Sequence, residues 1–325
     1  MLRSRSRWLV VLKVLVSALA VFFVGWELLK HQDDLVRIWT REWGLLSTVC
    51  LVSGIALMPF NYALETQKWR VVVAPFYPGL GFKKAFTAVF AGMASGIWTP
   101  NRVGEYAGRV VFLEEGNRFE AIISTFFDRI CQLIITIFMG LAALVVLMVF
   151  GKTGEVQNLM SSEGTFTIFV VMSVAMGLVL GLFLASPRFL SKSIPSRWNA
   201  SVWVRKLRFA LSRLPFSTVA KVIALSWVRY LIFATQYWLL MVAFQFDGPA
   251  WMGYSLVALV FLGKSVLPVM GIFELGVREW VAVMVMGVFG QNGSMAASAT
   301  FILYLVNILL PSLVGVLALH RLKAV

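Results

Sequence analysis

Acidic residues are scarce in this chain. Fifteen Asp and Glu stand against 29 Lys and Arg in 325 residues, and only 14% of positions are charged. That is too few for a solvated globular surface, where roughly 25–35% of surface positions carry charge. Cysteine and histidine are nearly missing, with two of each. Cys50 and Cys131 fall inside apolar runs, where they read as small buried hydrophobes, so no disulfide framework is implied. His31 and His320 lie near opposite chain ends. With no His, Cys or carboxylate cluster at ligand spacing, no metal site is expected. There is no Walker-type phosphate loop and no dinucleotide glycine fingerprint, so neither ATP hydrolysis nor a cofactor is expected.

Apolar sequence is abundant. The apolar and aromatic set makes up 60% of the chain, against roughly 45–50% in soluble domains. Runs approaching the ~20 residues a helix needs to cross a bilayer predict full spans near 8–29, 44–64, 121–150, 165–186, 222–246 and 296–319. Arg3, Arg5 and Arg7 give the first run the look of a secretion signal. The run is long and shows no small-residue cleavage pattern, so it reads as a span.

Two further apolar segments are short or broken. Residues 85–99 are rich in Ala, Gly and Ser and stop at Pro100, and 103–113 return carrying Glu105 and Arg109. Residues 251–270 are interrupted by Gly263, Lys264 and Pro268, and 277–289 follow the charges of Glu274 to Glu279. Each reads as a re-entrant helical hairpin, because non-helical backbone at membrane depth needs protein or a water-filled cavity around it. Two short crossing helices would fit the same pattern.

The loops test this layout by charge. With the N terminus inside, 17 Lys and Arg fall in inside segments, Lys68 and Arg70 among them, and four in outside loops. Such a bias is expected of cytoplasmic loops, so both termini are expected in the cytoplasm. The basic balance therefore points to membrane orientation and anionic lipid, not nucleic acid. The segment 187–221 holds eight basic residues and no acid. It reads equally as an interfacial amphipathic helix or as a solvated basic loop.

The expected fold class is thus an all-α polytopic membrane protein, with about six full spans plus two re-entrant helical hairpins. It forms one membrane domain over 1–325, with halves of about 1–150 and 165–325. Each half reads span, span, hairpin, span, and the two start on opposite sides. In such inverted repeats, broken helices of the two halves meet near the midplane and form a substrate site.

Candidate substrate-binding residues are the ionisable groups at predicted membrane depth: Arg102, Glu105, Arg109, Asp128, Arg129, Arg229, Lys264, Glu274, Arg278 and Glu279. Such groups usually face a cavity and pair with one another. Glu105 with Arg109 and Glu274 with Arg278 are spaced i, i+4 and would share a helix face. A structural ion pair and a site for a charged headgroup both fit that spacing. Arginine suits bidentate phosphate recognition and lysine supplies a compact charge. Asp128 and Arg129 point about 100° apart on a helix, so each is expected to pair with another element. Asp128 is also a candidate proton-linked carboxylate.

The series Pro100, Arg102, Gly104, Glu105, then Asp128-Arg129, then Gly276-Val277-Arg278-Glu279 resembles the flippase-like family. This is the membrane region of bacterial lysylphosphatidylglycerol synthases and their stand-alone relatives. The chain departs from the family pattern at Arg109, four residues after Glu105 and not three. It departs again at Gln132, where an acid is common, and at Ile272, Phe273 and Glu274, where a Pro-Gly-Gly is common. The resemblance implies lipid transport. The synthases add a soluble aminoacyl-transferase domain; this chain ends at Val325, so transport without lipid aminoacylation is expected.

The leading expectation is a lipid or lipid-linked-glycan translocase of the cytoplasmic membrane that is not an enzyme. Its partners are membrane lipids, anionic or glycan-linked. A homo-oligomer or a partner glycosyltransferase is compatible with it. The rival readings are an integral-membrane transferase acting on a prenyl-phosphate or phospholipid, and a non-transporting accessory subunit.

Overall fold

The computed structural model describes residues 42–97, 99, 102–114, 116–150, 201–266 and 274–320, with Val36, Thr40 and Ser191 as isolated positions. The expected spans at 8–29 and 165–186, and the hairpin tips at Pro100 and Gly271, lie outside the described residues. Every regular element among the described residues is helical. In chain order these are α1 (Leu45–Val73), α2 (Phe82–Gly96), α3 (Gly104–Val110), α4 (Arg118–Phe150) and α5 (Val202–Ser212). Then follow α6 (Phe216–Ala243), α7 (Ala250–Val266), α8 (Glu274–Val288), α9 (Gly293–Tyr304), a π-turn (Leu305–Leu309) and α10 (Leu310–His320).

Among the described residues, four stretches are long and apolar enough to cross a bilayer: Leu45–Val73, Arg118–Leu147, Phe216–Ala243 and Gly293–Leu319. They coincide with four of the six expected spans. Only 22% of the apolar window is buried in α1 and in α6. Val49, Val52 and Phe60 of α1, Phe138 of α4, Leu231 of α6 and Leu317 of α10 all face outward. Apolar side chains turned out along long helices, with charges turned in, is the distribution that hydrocarbon solvent selects.

α1 runs nine residues past the expected span end at Leu64. Glu65, Lys68 and Arg70 look like the polar end of a span in sequence. In the structure Glu65 and Lys68 are fully enclosed by other helices. Lys68 is therefore a buried side chain and not one of the inside-loop charges.

α2 and α3 form an antiparallel helical pair, and the composition explains how closely they meet. A Cβ on Gly108 would lie 2.7 Å from Ser95 Oγ and 2.8 Å from Gly92 Cα. Small residues at such crossings let backbones approach. The connection is closed by Thr99, whose Oγ1 donates to Gly96 O at 3.1 Å and accepts from Gly104 N at 2.7 Å. Gly108→Val is accordingly expected to destabilise the protein by about 1–3 kcal/mol, the usual range for overpacking. Gly287, with no atom within 4 Å of its Cβ position, is the control: Gly287→Ala should leave the thermal midpoint unchanged or raise it. Thermal unfolding of the two variants in detergent checks both.

The last span is not a plain α-helix, for a local reason. Pro311 has no N–H to give to Asn307 O, and its ring crowds that carbonyl. The helix widens into the π-turn Leu305–Leu309, and Asn307 O instead accepts from Tyr62 OH at 2.5 Å. Asn307 also accepts from Asn61 Nδ2 at 3.2 Å through Oδ1. The π-turn is thereby tied to α1.

α1 packs along α6, α2 lies against α10, and α4 lies against α7. α7 and α8 pack together, with Lys264 at the end of α7 bonded to Glu274 at the start of α8. Ile97, just after α2, and Leu275, at the start of α8, share one apolar cluster with Phe301, Tyr304 and Ile308. The flanks of the two expected hairpin tips are therefore in one place. α5 carries Arg205, Lys206 and Arg208 with Val202, Trp203 and Phe209 exposed, and it packs on α4. Within the expected basic segment 187–221, residues 202–212 are this helix.

Candidate functional site

Six helices each turn a polar face to the same interior space. α1 contributes Asn61, Tyr62 and Glu65, one helical face at i, i+1 and i+4. α4 contributes Arg129, Gln132, Leu133 and Thr136, and α6 contributes Arg229, Tyr230 and Phe233. α7 adds Phe261, Lys264 and Ser265, α8 adds Arg278, and α3 adds Glu105 and Arg109. Met93, Arg102, Asn307 and Ile308 complete the wall of a cavity of about 260 Å³.

Glu65 is the hub of the first charge cluster. Its Oε1 accepts from Arg109 Nη2 at 2.5 Å and forms an ion pair with Arg129 Nη2 at 3.0 Å. Its Oε2 meets Arg229 Nε at 3.2 Å and Lys68 Nζ at 3.3 Å. Glu105 binds the same two arginines, Arg109 and Arg129, and lies 3.8 Å from Arg102 Nε. Behind this layer Lys68 reaches Asp128 Oδ1 and Gln132 Oε1, both at 3.2 Å. Arg229 Nη1 donates to the same Gln132 oxygen at 3.3 Å. Trp69 Nε1 donates to Thr125 Oγ1 at 2.9 Å and fixes α1 against α4 in this register.

The second cluster is smaller. Glu274 Oε1 accepts from Lys264 Nζ at 2.8 Å and from Arg278 Nη2 at 2.6 Å. The i, i+4 pairs expected from spacing both form. Asp128 and Arg129 take partners on other elements, as their angular separation requires.

Of the ten expected site residues, Arg102, Glu105, Arg109, Arg129, Arg229, Lys264 and Arg278 line the one cavity. Glu274 is buried just behind it and holds two of its cations. Asp128 lies further back, paired with Lys68. Glu279 is outside the lining: one residue after Arg278, it is turned about 100° round α8. Sequence reasoning missed Asn61, Tyr62, Glu65, Lys68, Gln132 and Asn307. The available signal was the spacing Asn61, Glu65, Lys68, which is one face of α1.

Two properties decide what this space can hold. Among the described residues, seven cations (Lys68, Arg102, Arg109, Arg129, Arg229, Lys264, Arg278) face four carboxylates (Glu65, Glu105, Asp128, Glu274), leaving three positive charges in excess. Part of the wall is aromatic: Phe233 and Phe261 stack at 4.9 Å, and Tyr230 meets Phe261 edge-on. Asn61 Oδ1 and Tyr230 OH are buried, line the cavity and have no hydrogen-bond partner among the described residues. Among the described residues no group of His, Cys, Asp and Glu is arranged to hold a metal ion. A lining with this charge and these unpartnered polar atoms suits an anion with hydrogen-bonding capacity beside an apolar surface.

A family model described as the lysylphosphatidylglycerol synthase TM region matches residues 10–315. No curated protein and no solved structure matched the chain. The match spans both charge clusters, every helix that lines the cavity and most of the sequence. The chain belongs to the lysylphosphatidylglycerol synthase membrane-region family, and is a polytopic membrane protein associated with lipid modification or transport.

Proposed function

We propose that this chain is a translocase, not an enzyme, for anionic lipids, whose headgroup phosphate is not balanced by a cation of its own, acting in the cytoplasmic membrane with both termini on the cytoplasmic side. The observation that carries the reading is the surplus of three cations, among the described residues, around a partly open cavity between membrane-spanning helices. Unbalanced charge at that depth is costly, and a phosphate offsets it. The headgroup exchanges its water for Arg129, Arg229, Arg102, Lys264 and Arg278. The aromatic wall at Phe233 and Phe261 suits the glycerol and proximal acyl region.

The halves are proposed to be an inverted repeat with two re-entrant hairpins. The packing supports this by exchange. α1 and α6, which hold the same place in their halves, pack on each other. The first arm of each hairpin packs on the last span of the other half, α2 on α10 and α7 on α4. A two-fold relation between halves produces that pattern, and rocking one half against the other would expose the cavity alternately.

The test is lipid exchange in proteoliposomes. Fluorescent phosphatidylglycerol should become inaccessible to external dithionite, or accessible from inside, far faster than fluorescent phosphatidylcholine. Vesicles in which neither lipid moves faster than in protein-free vesicles would remove the reading.

A further inference from the structure

A polar ridge winds along half of α4, although the helix is a membrane span. Glu120, Ser124, Asp128, Gln132 and Thr136 recur every four residues, so they form one row that turns about 40° round the helix at each step. Glu120, Ser124, Asp128 and Thr136 are buried. The row begins beside the exposed turn at Gly116 and Asn117 and ends at Gln132 and Thr136 in the cavity wall. From Glu120 to Gln132 it covers about 18 Å along the axis. Neither oxygen of Asp128 and not Oε2 of Glu120 has a hydrogen-bond partner among the described residues, and the one tie to Asp128 is the ion pair with Lys68. Packing does not require two carboxylates in such a row, since an apolar residue would serve it at less cost.

We infer that this row is a proton path from the α4 start to the cavity, and that it couples proton movement to movement of an anionic headgroup. The coupling rests on the translocase reading; the path does not. A proton from water at the α4 start forms an O–H bond on the Glu120 carboxylate. It passes to Asp128 through bridging water beside Ser124, whose Oγ donates to Glu120 O at 2.8 Å and accepts from that water, each step of about 6 Å being one that a bridging water spans. It leaves to water in the cavity beside Gln132.

Lys68 links the path to the site. Its ammonium is shared among Asp128, Glu65 and Gln132. When Asp128 takes a proton, Lys68 loses that partner and its charge falls on Glu65. Glu65 then holds Arg109, Arg129 and Arg229 less tightly, and those guanidiniums turn to the phosphate. By reciprocity, a bound phosphate raises the proton affinity of Asp128. Proton and headgroup therefore favour each other and move in the same direction.

The charged and titratable surroundings are consistent with this assignment. At the Glu120 end stand Arg118 on the same helix, Tyr77 and Glu114 from the neighbouring loops, and Lys206 of α5, which lies over Phe119. At the Asp128 end stand Glu65 and Lys68 of α1, Glu105, Tyr106 and Arg109 of α3, and Arg229 of α6. Arg129 and Cys131 are its neighbours on α4, and Lys264 of α7 lies farther off across the cavity.

The experiment uses the full chain in phosphatidylcholine vesicles with a trace of fluorescent phosphatidylglycerol, internal pyranine, and potassium with valinomycin to clamp the potential. With the outside one pH unit more acidic, wild type should concentrate the lipid in the inner leaflet by up to about tenfold, the equilibrium for one proton per lipid. Glu120→Gln, which keeps size and hydrogen-bonding groups, should equilibrate the lipid without concentrating it. The double variant Asp128→Asn with Lys68→Met, which strands no charge, should also fail to concentrate the lipid. Variants that concentrate lipid like wild type, or a wild type that exchanges lipid but ignores the gradient, would overturn the inference. If wild type moves no lipid at all, the translocase reading has failed and pyranine still decides the path. Protein-dependent acidification that Glu120→Gln abolishes supports it; acidification equal in wild type, variant and empty vesicles overturns it.

Discussion

Glu65→Gln is expected to be the most damaging single substitution in the chain. Glu65 is buried and holds four cations at once: Arg109, Arg129, Arg229 and Lys68. A glutamine keeps the volume and one acceptor oxygen but removes the charge that balances them. Breaking a buried pair by removing one partner costs about 3–5 kcal/mol, because the other charge is left uncompensated. Here Glu105 retains Arg109 and Arg129, whereas Arg229 and Lys68 are left with Gln132 and Asp128. The expected outcome is a large loss of folded protein in detergent, seen as a lower thermal midpoint and early aggregation. The paired change Glu65→Gln with Arg229→Gln should recover much of that loss. A Glu65→Gln protein as stable as wild type would show that Glu105 alone balances the cluster.

Arg129→Gln is expected to have the largest effect on transport for the least effect on folding. Arg129 is the most exposed member of the first cluster, 28% against none for Arg109, and it lines the cavity. Glu65 and Glu105 keep other partners when it is removed. A hydrogen bond to a charged group contributes about 1.5–3 kcal/mol, so phosphatidylglycerol exchange should fall roughly 10- to 100-fold with the thermal midpoint little changed. Arg109→Gln should instead lower the midpoint, because Arg109 is enclosed and serves both carboxylates. Equal transport by Arg129→Gln and wild type would move the headgroup contact to Arg229, Lys264 or Arg278.

Much of this arrangement is legible in the residues themselves. Glycines near Pro100 announce a close helix pair, and Gly92, Gly104 and Gly108 are where α2 and α3 touch. Spacing of four residues gives both self-neutralising pairs. Ionisable residues in apolar sequence give seven of the eight charged side chains that line the cavity. What stays hidden depends on the neighbours of a residue and not on its own segment. Glu65 and Lys68 follow an apolar run, as snorkelling residues at a span end do. Only the enclosure of α1 by α3, α4 and α6 makes them interior. Asn307 reads as one polar residue in a span until Pro311 opens the helix beside it. Glu279 shares a motif with Arg278 but not its direction.

The account rests on an electropositive, water-accessible cavity that anions enter. Leu133 lines that cavity and is partly exposed, so a cysteine there reports on it directly. In a background with Cys50 and Cys131 replaced by serine, Leu133→Cys should react with a negatively charged sulfonatoethyl thiol reagent at least about tenfold faster than with the positively charged ammonioethyl analogue, the low end of electrostatic focusing by a charged cleft. Phosphatidylglycerol should slow the reaction and phosphatidylcholine should not. Equal rates for the two reagents, or a preference for the cation, would contradict an anion site in this cavity.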